Sequence, residues 1–252
     1  MNPASKEPQV GLLVSIEGNV GAGKSTLLDW FAGDKEVVIL KEPVGLWESV
    51  ADNNLLHMKY VDSQRWEFTF QIYADSTRIL QLRDSQANDK VRLQERSLLT
   101  AHKIFCEIQK EAGAMSAVEG AVLESWYKNL AEVRGQVQVT PDLFIYLRTS
   151  PHTALNRMKA RGREAESTVT LDYLTRVHEG HENLFIRDKH LLPSPVVVLD
   201  ADIDEVNLAY LWVEAIAAIG VARSKKLKEV DLIEQFMKDL EQGANKGQNQ
   251  AV

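Results

Sequence analysis

Residues 18–26 match the pattern G-x-x-x-x-G-K-[ST], and this short segment constrains the fold more than any other part of the chain. It consists of Gly18, Asn19, Val20, Gly21, Ala22, Gly23, Lys24, Ser25 and Thr26. Glycines lack a Cβ atom, so the backbone N–H groups can turn inward and form a concave site for an anion. Lys24 supplies positive charge to the β- and γ-phosphates, and the Ser25 hydroxyl can ligate Mg²⁺. The segment therefore predicts a phosphate-binding loop for a nucleoside triphosphate.

The residues on either side of this loop have the pattern of a strand followed by a helix. Gly11–Glu17 is a short apolar run typical of a buried β-strand. The helix that starts near Lys24 has an apolar face made of Leu27, Leu28, Trp30 and Phe31. Its amino terminus would direct the positive end of the helix dipole at a bound phosphate. A glycine-rich turn that binds nothing is the alternative, but it requires neither the strand nor the helix.

Composition limits the kinds of partner. The chain has 252 residues, of which 44% are hydrophobic and 26% charged, which suits one sizeable α/β domain with a full core. The formal net charge of −7 argues against a nucleic-acid partner, because contacts with a phosphate backbone favour a basic surface. No apolar run approaches the roughly 20 residues of a membrane span, so we expect no membrane partner.

The amino-terminal segment and the cysteine content indicate an intracellular protein. Met1–Gln9 is short and polar with Lys6 as its only basic residue, unlike a secretory signal or an Arg-rich transit peptide. Cys106 is the single cysteine, so no internal disulfide can form, and its apolar neighbours predict a packed thiol. We expect a cytoplasmic location, and the sequence leaves the nucleus and the mitochondrion open.

Short apolar runs alternate with long helical patterns along the chain. The predicted strands are Gly11–Glu17, Val37–Leu40, Val91–Glu95, Asp142–Leu147 and Val196–Leu199. After the loop helix, helical patterns cover Gly45–Met58, Gln64–Arg83, Leu98–Ala112, Ser116–Arg134, Pro151–Arg161, Leu171–Lys189 and Asp204–Ile219. This alternation predicts an α/β fold of three layers, in which a doubly wound parallel sheet of five strands lies between helices. Ligands of such folds bind at the carboxyl ends of the strands.

The character of the sequence changes beyond Arg223. An apolar stripe at helical spacing is formed by Leu227, Val230, Ile233, Phe236, Met237 and Leu240. It predicts an amphipathic helix over residues 223–242 that packs on the body of the protein or on a partner chain. Residues 243–252 are polar and contain glycine, so we expect a disordered tail. The main domain is accordingly assigned to residues 1–222.

Charged residues stand where predicted strands end. Glu42 follows the second strand, and Glu95 and Arg96 lie at the end of the third. Three arginines crowd the end of the helix after the fourth strand: Arg157, Arg161 and Arg163. Phosphoryl transfer needs positive charge on the moving group, Mg²⁺ between two phosphates and a carboxylate near the attacking hydroxyl. Taken singly these residues could be solvated loop or surface charges, but together they predict a phosphotransferase site.

The order of these motifs resembles that of the deoxyribonucleoside kinases. The matching segments are residues 16–26, Glu42-Pro43-Val44 with Trp47, Phe70-Gln71-Ile72-Tyr73, Glu95-Arg96-Ser97, residues 146–151, the arginine-rich lid and residues 199–202. They are colinear over residues 10–220, and the combination is far more specific than any single motif. The similarity is to the branch of deoxycytidine, deoxyguanosine and thymidine kinases and the insect broad-specificity enzyme, not to the zinc-containing thymidine kinases.

The resemblance implies that the γ-phosphate of ATP, bound with Mg²⁺, is transferred to the 5′-hydroxyl of a deoxyribonucleoside. Glu42 would accept the proton of that hydroxyl, with Arg96 holding both groups in place, while Lys24 contacts the phosphates. Magnesium would be positioned by Ser25 and Glu95. The further nucleoside contacts implied are Tyr60 and Glu166 at the sugar, Gln71 at the base edge, and Trp47, Phe70 and Phe105 around the base. Arg157, Arg161 and Arg163 would close over the phosphates as a P-loop kinase lid.

The resemblance also implies a homodimer and bears on the choice of base. Leu98–Ala112 and Ser116–Arg134 are candidates for part of the dimer interface. Arg78 lies two helical turns after Gln71, and an arginine there is typical of relatives that accept deoxycytidine and purine deoxynucleosides. Those relatives usually pair it with an aspartate, whereas the matching residue here is Ala101, as in thymidine-accepting relatives. Arg78 thus keeps its donors for a base or turns to a carboxylate such as Asp75, and we expect a broad pocket favouring deoxycytidine and purine deoxynucleosides.

Three other classes of protein share part of this pattern. A thymidylate-type nucleoside monophosphate kinase has the same fold and loop, but it needs cations for an acceptor phosphate, whereas Glu42, Glu95 and Glu166 are acidic. A regulatory GTPase requires D-x-x-G and N-K-x-D elements, which the sequence lacks. A non-catalytic nucleotide-binding scaffold would be expected to have lost Glu42, Arg96 or Lys24.

Overall fold

A computed structural model of the protein describes residues 11–85, 89–132, 137–203 and 208–248. Its centre is a sheet of five parallel strands in the order β2-β3-β1-β4-β5. The strands are β1 (Leu12–Gly18), β2 (Val37–Leu40), β3 (Val91–Glu95), β4 (Leu143–Arg148) and β5 (Val196–Asp200). The predicted fold class is confirmed, and every strand boundary lies within one residue of the expected position.

Helices connect the strands. The described α-helices are α1 (Lys24–Trp30), α2 (Val44–Trp47), α3 (Leu55–Val61), α4 (Ser63–Asp84), α5 (Leu98–Thr100), α6 (Glu107–Glu111), α7 (Ala117–Glu132), α8 (Pro151–Arg161), α9 (Leu171–Glu182) and α10 (Leu208–Gln248). Pro151 occupies the first turn of α8, and Ser150 caps that helix by accepting a hydrogen bond from the Thr153 backbone N–H.

Both faces of the sheet are covered, as the apolar character of β1 requires. Leu12, Val14 and Ile16 are buried in a cluster with residues of α1 and α10. Leu13, which points the other way, packs with Leu82 of α4. A strand that is buried on both sides reads as a continuous apolar run, which is why the sequence located β1 so closely.

The strand order brings the chemically active residues together. β1 lies between β3 and β4, so that Ile16 pairs with Glu95 and Gly18 pairs with Leu147. The chain therefore leaves β1 and β3 at the same edge of the sheet, next to the end of β2. The crevice at such a reversal of strand order is where open α/β sheets bind ligands.

The single helix predicted over Gly45–Met58 is wrong, because the structure has two short helices, α2 and α3, separated by a turn. Ala51 and Asp52 adopt positive φ angles of 48° and 61°, and Val50 forms an isolated bridge with Asn53. Turn-forming residues at 52–54 outweigh the apolar periodicity of this stretch, and the Asn54 side chain then caps α3.

Two other predicted helices change character along their length. Leu98–Ala112 is helical, but α5 passes into a π-helical segment, Ala101–Cys106, before α6 begins. Likewise α9 continues as a π-helical segment, Asn183–Arg187, and a 3-10 turn, Lys189–Leu191.

The carboxyl-terminal part of the chain forms one long helix where the sequence predicted two helices and a tail. α10 runs through the expected boundary at residue 222 and includes residues 243–248, which were expected to be disordered. A lone glycine such as Gly220 costs about 1 kcal/mol in a helix and does not by itself interrupt one. Residues 204–207 and 249–252 lie outside the described residues. Among the helices that the structure describes, none is long and apolar enough to cross a membrane.

Candidate active site

The loop between β1 and α1 has the backbone that phosphate binding requires. Gly18, Gly21 and Gly23 adopt φ angles of 144°, 78° and 97°, a region that residues with a Cβ atom rarely occupy. A Cβ atom on Gly18 would lie 2.8 Å from the carbonyl oxygen of Leu147, and one on Gly21 would collide with the carbonyl oxygen of Ala154. These two glycines are therefore required both by their conformation and by close packing against neighbouring backbone.

Lys24 is buried at the end of this loop. Its Nζ atom donates hydrogen bonds to the carbonyl oxygens of Gly18 at 3.2 Å and Asn19 at 2.9 Å, and lies 4.0 Å from Glu95 Oε1. Burial and the nearby charge of Arg96 lower the pKa of Lys24 to about 8. The loop thus presents a desolvated cation that gains from any anion placed beside it.

Glu42 lies between two guanidinium groups. Its Oε1 atom accepts hydrogen bonds from Arg78 Nη2 at 2.7 Å and from Arg96 Nε at 3.0 Å. Burial raises the pKa of Glu42, but the charges of Arg96 and Arg78 outweigh that effect and hold it at about 2. Arg96 reaches this position from a left-handed backbone with φ 66°, directly after β3. Such a conformation costs of order 1 kcal/mol or more and persists where the surrounding structure enforces it.

Ser25 and Glu95 meet on the phosphate-loop side of the cavity. Ser25 Oγ donates to both carboxylate oxygens of Glu95, at 2.9 and 3.1 Å. Both groups are hard oxygen ligands of the kind that Mg²⁺ prefers. Within the described ranges, no group of three or more His, Cys, Asp or Glu side chains could hold a metal ion.

A cavity of about 340 Å³ joins these groups, a size within the range of small-molecule sites. All ten residues predicted to contact the nucleoside line it: Glu42, Trp47, Tyr60, Phe70, Gln71, Arg78, Arg96, Ala101, Phe105 and Glu166. Also lining it are Val20, Gly21, Lys24 and Ser25 of the loop, together with Glu95, Arg161 and Arg163. The structure therefore gathers most of the predicted site residues around one space.

The aromatic side chains on one side of the cavity are held by contacts with their neighbours. Trp47 and Phe70 pack edge to face with ring centroids 5.4 Å apart, and Trp47 Nε1 donates to Thr77 Oγ1 at 2.9 Å. The Arg96 guanidinium lies 4.1 Å from the centre of the Phe105 ring. Planar aromatic walls of this kind suit a flat heterocyclic ring.

Gln71 is fixed in the floor of the same cavity. Its Nε2 atom donates to Glu67 Oε1 at 2.7 Å, one helical turn earlier in α4. Glu67 in turn lies 3.6 Å from Lys59 Nζ. Because these partners set the orientation of the amide, Gln71 can present a defined edge to a ligand.

The predicted lid arginines divide into two groups. Arg161 and Arg163 both form ion pairs with Glu166, the second at 2.9 Å, and all three line the cavity. Arg157 instead donates to the carbonyl oxygens of Ala201 at 2.9 Å and Ile203 at 2.6 Å, beyond β5. The Arg157 side chain thus points from α8 toward the segment that follows β5, and it does not line the cavity.

Comparison with known proteins agrees with this geometry. The sequence profile of the deoxynucleoside kinase family matches residues 14–212. The chain belongs to the deoxynucleoside kinase family. Human mitochondrial thymidine kinase 2 is 36% identical over 199 residues, which cover 78% of this chain and 73% of that protein. A probable deoxycytidine kinase of fowlpox virus is 34% identical (77% of this chain, 80% of that protein), and rat deoxycytidine kinase 33% (76% and 84%).

Members of this family are ATP-dependent phosphotransferases, so the predicted class of enzyme is confirmed. The matched region contains the phosphate loop, Glu42, Arg96 and the cavity-lining residues described above. The nucleoside in the relatives' names differs, since they include a thymidine kinase and deoxycytidine kinases.

Several residues of this kinase cavity were not predicted. They are Lys41, Pro43, Val44, Gly45, Leu56, Lys59 and Tyr173. Lys59 is buried, and although burial opposes its charge, Glu67 raises its pKa above the usual value. The only sequence signal for this pair was Glu67, four residues before Gln71 on one helix face. Lys59 joins it only because α3 packs against α4.

Proposed function

We propose that this deoxynucleoside kinase transfers the γ-phosphate of ATP to the 5′-hydroxyl of deoxyribonucleosides, with a broad specificity that favours deoxycytidine and purine deoxynucleosides. The observation that carries the proposal is that Glu42 and Arg96 line the same cavity as Lys24, Ser25 and the aromatic side chains. A donor phosphate on the loop and a nucleoside against the aromatic rings would then meet at Glu42.

Glu42 would act on the attacking hydroxyl mainly by orienting it. A carboxylate with a pKa near 2 is ionised throughout the physiological range but is a weak base in the ground state. Phosphoryl transfer through a loose transition state demands little early proton removal, so a well-placed acceptor suffices. Arg96 keeps the carboxylate in place, and its strained backbone conformation fixes the direction of approach.

Magnesium fits the pair formed by Ser25 and Glu95, which would hold it directly or through water. When bound, the ion would neutralise part of the negative charge of the donor phosphates. Lys24 would contribute positive charge beside it, and Arg161 and Arg163 would add charge once they exchange Glu166 for phosphate.

The base preference rests on Arg78, which lines the cavity near Trp47. Its guanidinium can donate to the O6 and N7 acceptors of guanine or to the ring acceptors of cytosine. Thymine offers a less favourable edge, and its methyl group would compete with the arginine for space. The relatives are named as thymidine and deoxycytidine kinases, so both outcomes occur within the family.

The deciding experiment measures initial rates with ATP and Mg²⁺ against deoxycytidine, thymidine, deoxyadenosine and deoxyguanosine, with thymidylate as a monophosphate acceptor. We expect phosphorylation of several nucleosides, with deoxycytidine and the purines ahead of thymidine and no transfer to thymidylate. Transfer to thymidylate alone would identify a monophosphate kinase instead. A strong preference for thymidine would overturn the proposed selectivity but not the reaction.

We further propose a cytoplasmic location, because the single cysteine, Cys106, can form no internal disulfide, which suits a reducing compartment. The human relative is named as mitochondrial. Imaging of a carboxyl-terminal fluorescent fusion tests this, and co-localisation with mitochondria would contradict it.

A further inference from the structure

Arg78 lies between two carboxylates. Its Nη2 atom is 2.7 Å from Glu42 Oε1, and its Nη1 atom is 3.7 Å from Asp75 Oδ1. Arg78 Nε is buried and has no hydrogen-bond partner among the described residues. Ala101, which lines the same cavity, brings no charge. The position of the guanidinium is therefore set by Glu42 on one side and Asp75 on the other.

Asp75 is a fully buried carboxylate behind the cavity rather than in its wall. Its side chain is 0% exposed. Burying a carboxylate costs free energy unless it is paired. The contacts of Asp75 therefore indicate its role. Oδ2 lies 3.0 Å from His102 Nε2, while Oδ1 has no hydrogen bond among the described residues and faces Arg78. One oxygen of Asp75 is thus anchored, and the other remains an acceptor for Arg78.

His102 is positioned by the helical segment to which it belongs and by an aromatic neighbour. It belongs to the π-helical segment Ala101–Cys106, and such segments are rare and frequently occur at functional sites. Two other residues of this segment, Ala101 and Phe105, line the cavity. The His102 ring also stacks on Tyr127 of α7, with centroids 4.3 Å apart and an angle of 29° between the planes. His102 therefore connects the cavity wall, α4 and α7 at one point.

We propose that Asp75, anchored by His102, is a positioning residue for nucleoside recognition that holds Arg78 in the pocket. Because the negative charge of Asp75 also attracts Arg78, Glu42 is not the only carboxylate that holds the guanidinium. Glu42 can then turn to the nucleoside hydroxyl while Arg78 stays beside the base. This inference rests on the proposed function of the cavity and adds to it the residues that fix Arg78.

The experiment compares the parent with Asp75→Asn, which keeps the shape of the side chain but removes its charge. The KM for the best nucleoside of the parent should rise about tenfold or more, because a buried ion pair at this separation interacts through a low dielectric. The KM for ATP should change less than about twofold, because the described contacts of Arg78 are with Glu42, Asp75 and Trp47 rather than with the phosphate loop. Asp84→Asn is the matched control, since Asp84 is on the same helix in an exposed ion pair with Arg83.

A double-mutant cycle separates positioning from general destabilisation. In an Arg78→Met background, Asp75→Asn should have no further effect on the nucleoside KM, because the group on which it acts is gone. Two changes at His102 give an independent measurement. His102→Gln keeps an N–H donor for Asp75 and should retain most of the nucleoside affinity, whereas His102→Leu should behave like Asp75→Asn.

The outcomes distinguish the two proposals. A parent that phosphorylates no nucleoside overturns the proposed function and this inference with it. An active parent whose nucleoside KM is unchanged by Asp75→Asn, or whose losses add in the double mutant, overturns this inference alone. If Asp75→Asn does not give a folded protein by circular dichroism, the two His102 variants decide, and equal KM values for both would reject the role of Asp75.

Discussion

At the scale of single residues, Arg78 has two roles in the cavity. Its Nη2 atom balances the charge of Glu42, and its side chain lines the cavity in which we propose that the base binds. A guanidinium can serve two partners at once because its donors are spread over a rigid plane. Substitutions at Arg78 should therefore change both the protonation of Glu42 and the selectivity for the base.

Glu42→Gln should lower kcat about 100-fold or more while nucleoside binding is kept, the scale of removing a positioned acid–base group. The amide keeps the size of the side chain, but it lacks the negative charge that orients the attacking hydroxyl and cannot take the proton that the hydroxyl finally loses. Steady-state kinetics with a parallel binding measurement test this, with Glu48→Gln, a nearby residue that is not part of the cavity lining, as control. Near-normal turnover of the folded variant would reject the assignment of Glu42.

Arg78→Met should move the acid limb of the kcat/KM profile to higher pH. The pKa of Glu42 is held near 2 and the ionised form is the active one, so Glu42 causes no loss of parent activity between pH 5 and 8. Removing one of the two neighbouring guanidinium charges lets burial raise that pKa, by about one unit or more. Activity would then be lost as the pH falls through the raised pKa. An acid limb identical to that of the control Arg83→Met, an exposed change on α4, would contradict this.

The same Arg78→Met variant should shift the ratio of kcat/KM values toward thymidine by roughly tenfold or more, about the worth of one charged hydrogen bond. The methionine side chain leaves more space for the methyl group of thymine, and it cannot donate a hydrogen bond to cytosine or guanine. Competition between deoxycytidine and thymidine in one reaction measures the ratio directly. An unchanged ratio means that Arg78 does not contact the base.

At the scale of elements, the phosphate loop depends on close packing against α8 as well as on glycine's freedom. Gly21 sits against the backbone of Ala154 in α8, whereas among the described residues no heavy atom lies within 4 Å of a Cβ built on Gly33. Both glycines have positive φ angles, 78° and 93°. The pair therefore separates the cost of conformation from the cost of steric overlap.

Gly21→Ala should raise the KM for ATP about tenfold or more and lower kcat, because the loop must move away from α8 and its N–H groups lose their common direction. Gly33→Ala imposes a similar backbone strain away from the cavity and should leave both constants within about twofold of the parent. ATP titration of initial rates gives both values. Equal effects of the two substitutions would show that packing against Ala154 is unimportant.

At the scale of the whole molecule, α7 leaves apolar surface uncovered in the single chain. Val118 and Val122, one turn apart, are 74% and 48% exposed. We propose that this face takes part in a homodimer, in keeping with the interface expected for Ser116–Arg134. Apolar residues one turn apart on a helix form a continuous strip that a second copy can cover.

A double change, Val118→Asp with Val122→Asp, should convert the dimer to a monomer at micromolar concentration, because burying two carboxylates in an apolar interface is strongly unfavourable. Light scattering coupled to size-exclusion chromatography reports the mass. Val221→Asp, at a comparably exposed position on α10, is the control and should leave the mass of a dimer. A monomeric parent would reject the proposed assembly.

The sequence by itself determined the elements whose chemistry is local. β1, the phosphate loop and the start of α1 follow from an apolar run, three glycines and Lys24, because strand burial, left-handed backbone and charge are properties of neighbouring residues. The strand-end residues Glu42, Glu95 and Arg96 could also be predicted as site residues, since parallel strands bring their carboxyl ends to one edge of the sheet. The sequence-based prediction was wrong where the turn at 52–54 divided an apolar stretch into α2 and α3, and where α10 continued through the helix end expected near residue 222.

The tertiary structure decided the partners. The sequence predicted which face of α4 carries Arg78. Its contacts with Glu42 and Asp75 depend on how α4 packs against the end of β2 and the π-helical segment. Arg157 lies on the same helix as Arg161, yet its hydrogen bonds with the segment after β5 turn its side chain away from the cavity. Lys59 entered the site only through the contact of α3 with α4. Charged side chains act over a few ångströms, so their partners depend on distances between elements that no local pattern encodes.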